Sequence, residues 1–358
     1  MSMDIFLSVP NGADVVVGQG IILDVKISSK TKLPSNFSIK LESLNGLMVD
    51  PDYPGSPTLN SNGDFFTQSF FLRVSNSISS VGSVSYVLSP SVGIPVKITY
   101  YANEFDINSG GFLTLDKKII ETPIENNNPT DNGNTYLTYF VNLKNKTGEP
   151  LKRTPAMFYI FYKNKMEDFV YTNDPDHDGL PLKIIDIRPH GDHSVIIINS
   201  DDLGYISFRA YPKKDKVLSA ACFLLLDMAY MGDRAYIILP YSKGFGDFLP
   251  KPIIPELING KLYKGAGEQF EVDVPSYTGV QLIDRIVFFS ELQDDMPVSD
   301  SILYEYVMES SQGHNFRFFI PYDKLPAGKE ITLYYFIVTS DGNRVMYSNF
   351  LNFEYIIK

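Results

Sequence analysis

One stretch of this chain combines acidic side chains with the spacing that a metal site can use. Residues 174–179 read Asp-Pro-Asp-His-Asp-Gly, which sets Asp174, Asp176 and Asp178 at alternate positions before a glycine. Hard cations take several oxygen ligands, and glycine permits the tight turn that such a loop needs. A full calcium loop ends on glutamate at its twelfth position, where this chain has Ile185. Two interpretations stand: a Ca²⁺ site on the three aspartates, or a solvated turn between strands. Calcium is the one cofactor that the sequence suggests.

Three histidines lie near this stretch and raise the question of zinc. His177, His190 and His193 fall in one short region, and Asp192 precedes the last of them. A zinc site needs three or four ligands within tetrahedral reach. Residues 190–193 read as a turn, which favours exposed loop histidines over a metal centre.

The remaining reactive side chains favour structural roles. Cys222 is the single cysteine and lies in an apolar run, so we expect a small buried hydrophobe and no disulfide. The adjacent acids Asp201 and Asp202, and likewise Asp294 and Asp295, are predicted to be turn residues. Neighbours in a strand face opposite ways, so neither pair forms the two-carboxylate site of a glycosidase. The sequence contains no nucleophile elbow, P-loop or zinc-protease helix, and we predict no catalytic residue.

Charge and hydropathy narrow the class of partner. The net charge is -11, and an acidic chain repels phosphate backbones, so we expect no nucleic-acid partner. The longest apolar region, residues 217–239, is interrupted by Asp227 and Asp233. It predicts two strands around a turn at residues 231–234 and no membrane insertion. The first residues lack a basic and apolar leader, so we expect either a cytoplasmic protein or export by a leaderless route.

The elements that must position these side chains are short strands. Helical periodicity is almost absent, and β-branched or aromatic runs alternate with clusters of Gly, Pro, Asn, Asp and Ser, which is typical of an all-β sandwich or barrel. The clearest runs are residues 21–27, 37–41, 65–74, 96–101, 135–143, 156–162, 194–198, 205–211 and 331–338. Length and strand density predict three tandem antiparallel sandwiches, at residues 1–106, 112–243 and 256–358. Residues 108–111 are predicted to be a hinge, and the prolines of residues 248–255 a stiff connector.

Several short motifs of the third segment occur in the order of a known module. They are residues 274–279 (Val-Pro-Ser-Tyr-Thr-Gly), 320–321 (Ile-Pro), 325–329 (Leu-Pro-Ala-Gly-Lys), 333–335 (Leu-Tyr-Tyr) and 341–343 (Asp-Gly-Asn). With these the segment resembles the bacterial immunoglobulin-like domains found in tandem in adhesin-like surface proteins. The second segment more loosely resembles the invasin and intimin type, on residues 200–206. The resemblance implies immunoglobulin-like sandwiches that bind a partner or act as spacers, and it carries over no catalytic residue.

Three functions remain open at this point. The first is a non-enzymatic binding or adhesion protein that engages a host or cell-surface protein or glycan through loops or an edge strand, with the third sandwich as the tip. The second is a self-associating structural or phage-like appendage component, because edge strands favour assembly. The third is an accessory module for polysaccharide processing, which rests on the acids and on the 23 Tyr and 25 Phe in a chain without Trp. These aromatics either fill the cores or present contact surface.

Overall fold

The computed structural model describes most of the chain. The described residues are 3–51, 53, 55–78, 81–109, 111–123, 125–160, 165–214, 216, 218–238, 249–282, 284–292, 302–308, 315–339 and 344–357. Within them nearly all regular structure is β-strand, which confirms the predicted all-β class. The acidic pair at residues 294–295 and the motif at residues 341–343 lie outside the described residues. No helix in the described part of the chain is both long and apolar enough to cross a membrane.

The N-terminal sandwich consists of two facing sheets around one apolar core. Its strands are β1 (Met3–Leu7), β2 (Asp14–Val16), β3 (Gly20–Ser29), β4 (Ile39–Asn45), β5 (Leu47–Val49), β6 (Thr58–Leu59), β7 (Phe65–Val74), β8 (Val81–Pro90) and β9 (Val96–Asn103). One sheet has the order β1-β3-β7-β5, with β6 also on β7, and the other has the order β2-β9-β8-β4. The core forms because alternate residues of each strand, such as Val25 and Ile27 or Ile98 and Tyr100, face inward.

The middle sandwich repeats this plan with larger sheets. Its strands are β10 (Thr114–Leu115), β11 (Ile119–Glu121), β12 (Leu137–Asn142), β13 (Pro155–Ile160), β14 (Phe169–Asn173), β15 (Ile184–Ile185), β16 (Arg188–His190), β17 (His193–Asn199), β18 (Tyr205–Pro212), β19 (Leu218–Leu225) and β20 (Ala229–Ile238). The sheet orders are β10-β12-β18-β14-β15 and β11-β20-β19-β13-β17-β16. One helical turn, α1 (Pro175–Asp178), follows β14.

The C-terminal sandwich has one large sheet and one two-stranded sheet in its described part. Its strands are β21 (Lys261–Tyr263), β22 (Gln269–Pro275), β23 (Arg285–Leu292), β24 (Ile302–Val307), β25 (Asn315–Pro321), β26 (Glu330–Val338), β27 (Val345–Tyr347) and β28 (Leu351–Ile356). The large sheet has the order β21-β28-β26-β23-β24, with β27 on β26, and faces the pair β22-β25. Of the aromatic run, Tyr335 fills the core of this sandwich, as predicted, whereas Tyr334 and Phe336 are buried in a separate cluster that includes Tyr236 of the middle sandwich.

All three sandwiches close with the same kind of strand pairing. A short early strand pairs in parallel with the closing strand, as β2 does with β9, β11 with β20, and β21 with β28. The other pairings between these strands are antiparallel. The two sheets of the N-terminal sandwich correspond in order to the ABED and CFG sheets of an immunoglobulin-type domain. The predicted immunoglobulin-like sandwich fold is therefore confirmed.

The apolar region at residues 217–239 forms two strands, but the predicted turn position was wrong. The chain turns at residues 226–228, where the Leu226 amide donates to the Met228 carbonyl at 3.1 Å. Residues 231–234 instead form a β-bulge in β20, where the register shifts opposite Cys222. Gly232 is required there because a Cβ would lie 2.6 Å from the Leu113 carbonyl oxygen. A glycine inside a strand marked close backbone approach rather than a turn.

The N-terminal and middle sandwiches pack through their outward sheet faces. Ile22 and Phe71 form a buried cluster with Met157 and Val195. Gly111, in the predicted hinge, has no room for a Cβ, which would lie 2.4 Å from the Phe105 ring. Gly111 is thus closely packed against Phe105, and Phe105 contributes to the middle core.

The middle and C-terminal sandwiches share a second apolar cluster. Tyr236 of β20 packs edge-on against Phe336 of β26, with ring centroids 5.4 Å apart. The proline-rich connector runs along the C-terminal sandwich: the Leu249 amide donates to the Tyr347 carbonyl at 2.7 Å, and Ile253 pairs with Asp273. The extended form expected of three nearby prolines is stabilised by these bonds.

Candidate functional site

The acidic stretch at residues 174–179 folds around an arginine. Asp174 is buried and accepts hydrogen bonds from the Arg209 Nε at 2.9 Å and the Ser207 Oγ at 2.6 Å. Asp176, on α1, forms an ion pair with the same guanidinium. The Arg209 guanidinium also lies 4.4 Å from the centre of the Tyr136 ring. Two of the three predicted calcium ligands therefore serve one buried cation of the protein.

The third aspartate organises the segment that follows the helical turn. Asp178 accepts a hydrogen bond from the Leu180 amide and another from the Asn173 side-chain amide, both at 2.8 Å. Asn173 in turn accepts from the Lys183 amide at 2.6 Å. Among the described residues, no group of three or more His, Cys, Asp or Glu side chains could hold a metal ion. The calcium interpretation stays a prediction.

The histidines occupy separate contacts. The His177 ring is tilted against the Tyr205 ring, with centroids 4.3 Å apart, and its Nε2 lies 3.6 Å from an Asp201 carboxylate oxygen. His190 lies against Phe71 of the N-terminal sandwich at 5.1 Å. Burial is the main cause that lowers the pKa of His190 below its ordinary value. This histidine takes part in the contact between the sandwiches.

The described acidic pair, Asp201 and Asp202, and the cysteine make structural contacts. Asp201 accepts hydrogen bonds from the Leu203 and Tyr205 amides at 2.8 Å each, in the turn between β17 and β18. Asp202 forms a surface ion pair with Arg153 at 2.7 Å. Cys222 is buried, and burial raises the pKa of its thiol.

A concave surface lies between the N-terminal and middle sandwiches. We call it the inter-sandwich cleft; its volume is about 490 Å³, within the range of natural ligand sites. Side chains that line it include Phe6, Lys26, Lys183, Ile184, Asp186 and Asn199. Phe6 and Ile184 expose 57% and 42% of their surface, so the walls of the cleft present apolar groups to solvent.

One ion pair joins the two walls at the floor of the cleft. The Arg188 guanidinium of β16 bonds the Asp24 carboxylate of β3, and the Ser69 Oγ donates to the same carboxylate at 2.6 Å. The Asn199 side-chain amide also donates to the Ser8 carbonyl at 2.7 Å. These bonds pair the partly buried charges of Arg188 and Asp24 and link the two walls of the cleft.

Strand edges form both rims of the cleft. β1 is the edge strand of its sheet, and β15 is the edge strand of the β10-β12-β18-β14-β15 sheet of the middle sandwich. The Asp178–Asn173 bonds described above hold residues 180–185 in place, so the acidic stretch supports one rim. Its observed structural contribution is therefore to shape the cleft.

The cleft could not be identified from the sequence, although part of its signal was present. Leu180, Leu182 and Ile184 are separated by Pro181 and Lys183 and are all exposed. Such alternation is typical of a strand with one apolar face, but nothing in the sequence indicates that β1 lies opposite.

Comparisons with known proteins give distant structural neighbours. No protein-family model matches the chain, and no curated protein does. Solved structures that match include domains 5–6 of the S-layer protein SbsC, with 12% identity, a TM-score of 0.22, and coverage of 67% of this chain and 97% of that chain. Others are the C-terminal domain of the Streptococcus pyogenes antigen I/II-family protein AspA (7% identity, TM-score 0.22, 66% and 99% covered) and the tandem Ig repeats of Dlar (8%, 0.24, 66% and 97%). At such low identity and TM-score, none of them identifies a family or a partner for this chain.

Proposed function

We propose that this chain is a non-enzymatic binding protein that engages a surface protein or glycan through the inter-sandwich cleft. Its units are three immunoglobulin-like domains near residues 1–106, 112–243 and 256–358. The observation that carries the proposal is the cleft itself, a concave surface with exposed Phe6 and Ile184 on opposite rims. Exposed apolar groups in a polar surround favour a binding role. The proposal departs from the third-sandwich contact that the sequence favoured.

The chemistry of the lining supports binding rather than catalysis. The Asp24 carboxylate is engaged by Arg188 and Ser69. The Ser8 hydroxyl accepts from the Asp24 amide at 2.9 Å. Asp186 is then the one lining carboxylate in the described residues without an ion-pair partner. A lone carboxylate supplies neither an acid–base pair nor an activated nucleophile.

A structural, self-assembling role is the second candidate. The observation that favours it is the exposed edge of β1, since free strand edges pair with other chains. Self-association would consume this edge and leave the cleft filled by a second copy.

Arrays of surface proteins and glycans, probed with the labelled intact chain, test the proposed function. We expect concentration-dependent binding to one class of spot, while light scattering of the chain alone gives a monomer mass at every concentration. Mass that grows with concentration, without array binding, would support the structural role instead. An absence of binding on both arrays together with a stable monomer would overturn the proposal.

We also propose Ca²⁺ as a ligand of the Asp174, Asp176 and Asp178 loop, in competition with Arg209. A ligand that binds only the folded state raises its melting temperature. We expect millimolar Ca²⁺ to raise the melting temperature of the intact chain, and Asp178→Asn to remove the rise. Unchanged melting in both wild type and Arg209→Gln would end this idea.

A further inference from the structure

The outer edge of β1 offers main-chain hydrogen-bonding groups at the rim of the cleft. The Ser8 amide donates to the Asp24 carbonyl at 2.9 Å, which fixes the phase of the β1–β3 ladder. Antiparallel ladders alternate, so the amides and carbonyls of Met3, Ile5 and Leu7 face away from β3. No described residue bonds these outward groups. They are a template to which an extended strand can add.

The side chains beside this edge set the chemistry of an incoming strand. Three lining cations, Lys26, Lys183 and Arg188, outnumber the two lining carboxylates, Asp24 and Asp186. Arg188 is paired with Asp24, whereas the ammonium groups of Lys26 and Lys183 have no ion-pair partner among the described residues. This local excess of positive charge contrasts with the net charge of -11 of the whole chain. An acidic ligand is therefore attracted to the cleft and repelled elsewhere.

We propose that the inter-sandwich cleft binds an extended peptide segment whose side chains alternate between apolar and acidic, by strand addition to the outer edge of β1. This rests on the proposed function and names its ligand class. Main-chain bonds to β1 supply affinity without sequence preference, and pockets for alternate side chains supply specificity. Residues paired across a ladder share one face, so Phe6 and Lys26 both lie on the cleft side, where acidic side chains of the added strand meet Lys26 and Lys183. Its apolar side chains lie on the other face, beside the half-buried Ile5 and Leu7 of β1. In a strand, side chains two apart share one face, which matches this alternation.

Synthetic peptides test the inference with the intact chain. The probe is a fluorescent octapeptide of alternating Val and Glu, and the controls are the Val-Lys octapeptide and a Val-Glu octapeptide with two central prolines. Fluorescence anisotropy should show binding of the first peptide alone, weakened by added salt because charge attraction is screened. Lys26→Glu/Lys183→Glu should weaken binding at least about tenfold. Lys40→Glu/Lys97→Glu changes the net charge equally on the opposite sheet and should leave it unchanged.

A second variant tests the main-chain bonds. Ile5→Pro removes one outward amide and leaves the bonds from β1 to β3 in place, so it should weaken peptide binding about as strongly as the charge reversal. Equal binding of the Val-Lys peptide, no binding of the Val-Glu peptide, or no effect of the charge reversal would overturn the inference. So would a dimer, detected by sedimentation, that Ile5→Pro dissociates, since the strand would then be a second copy. If the chain binds a partner on the arrays but binds none of the peptides, strand addition is refuted while the proposed function stands.

Discussion

Arg209 shows how a motif with metal-like spacing can have a structural use. It is buried, and it holds Asp174 and Asp176 on either side of the start of α1. The sequence indicated the acidic spacing and the turn correctly. It could not indicate the arginine, which lies on β18, more than thirty residues away along the chain. Aspartates whose spacing suggests metal ligands form an ion-pair cluster because β18 brings Arg209 beside them.

The two aspartates on Arg209 should differ sharply in their contribution to stability. Asp174→Ala leaves a buried guanidinium without its main partner and should lower the free energy of unfolding by about 3 kcal/mol. The Asp176 side chain is 84% exposed, so Asp176→Ala should change the free energy of unfolding little. Urea unfolding of both variants measures the difference. Equal losses would show that burial of the pair does not govern its strength.

His190 should make stability depend on pH. Its pKa is lowered first by burial and then by the neighbouring charges of His193 and Arg73, so the unfolded chain binds the proton more readily. Stability is then full above the ordinary histidine pKa of about 6.5 and is lost as pH falls through the lower folded-state pKa. Urea unfolding at about pH 7 and pH 5 should show this loss in wild type and a smaller one in His190→Gln. An identical pH dependence in the variant would remove His190 as its cause.

At the scale of elements, the sequence predicted the strands well but predicted neither the β-bulge nor the parallel strand pairs. Runs such as residues 65–74 became strands because aromatic and β-branched side chains are concentrated there. The bulge at residues 231–234 was mistaken for a turn because the approach of Leu113 is a tertiary contact. The parallel pairs that close each sandwich were missed for the same reason: short strands far apart in the chain carry no local signal of pairing.

Two glycines in turns of the middle sandwich should respond differently to alanine. Gly148 and Gly204 both have positive φ, at 84° and 78°. A Cβ on Gly148 meets nothing within 4 Å, so Gly148→Ala should cost only the left-handed strain of about 1 kcal/mol. A Cβ on Gly204 would lie 2.4 Å from the Leu143 carbonyl oxygen, which accepts from the Leu151 amide. Gly204→Ala should therefore cost about 3 kcal/mol in chemical unfolding. Equal losses of unfolding free energy in the two variants would mean that the turn at Gly204 shifts freely to make room for the Cβ.

At the scale of the whole molecule, the cleft depends on how two sandwiches sit together. Its lining runs from Phe6 to Asn199, so no local pattern could reveal it. One signal of the interface was present: Ile21, Ile22 and Leu23 are consecutive and apolar, and a strand that is apolar on both sides is covered on both. Taken by itself in the sequence, that run predicts only a strand of the core. Packed junctions at Phe105 and Tyr236 join the sandwiches. The bounds of the three domains, at residues 1–106, 112–243 and 256–358, remain predictions.

The ion pair across the cleft floor should couple the N-terminal and middle sandwiches. A double-mutant cycle with Asp24→Asn and Arg188→Met should give a coupling energy of about 1 kcal/mol, because the two side chains are largely buried and in contact. The exposed pair Arg153–Asp202 lies within the middle sandwich and serves as control, with coupling near zero. Thermal unfolding of the single and double variants gives both values. No coupling between Asp24 and Arg188 would mean that the walls move independently in solution.

The affinity of a partner found on the arrays, measured for three forms of the chain, tests the central claim most directly. Phe6→Glu/Ile184→Glu places charge on both rims of the inter-sandwich cleft, while Val92→Glu/Ile94→Glu alters exposed apolar residues of the loop between β8 and β9. Equilibrium binding by surface plasmon resonance should fall at least about tenfold for the cleft variant and match wild type for the loop variant. Wild-type affinity in a folded cleft variant would contradict binding through the cleft.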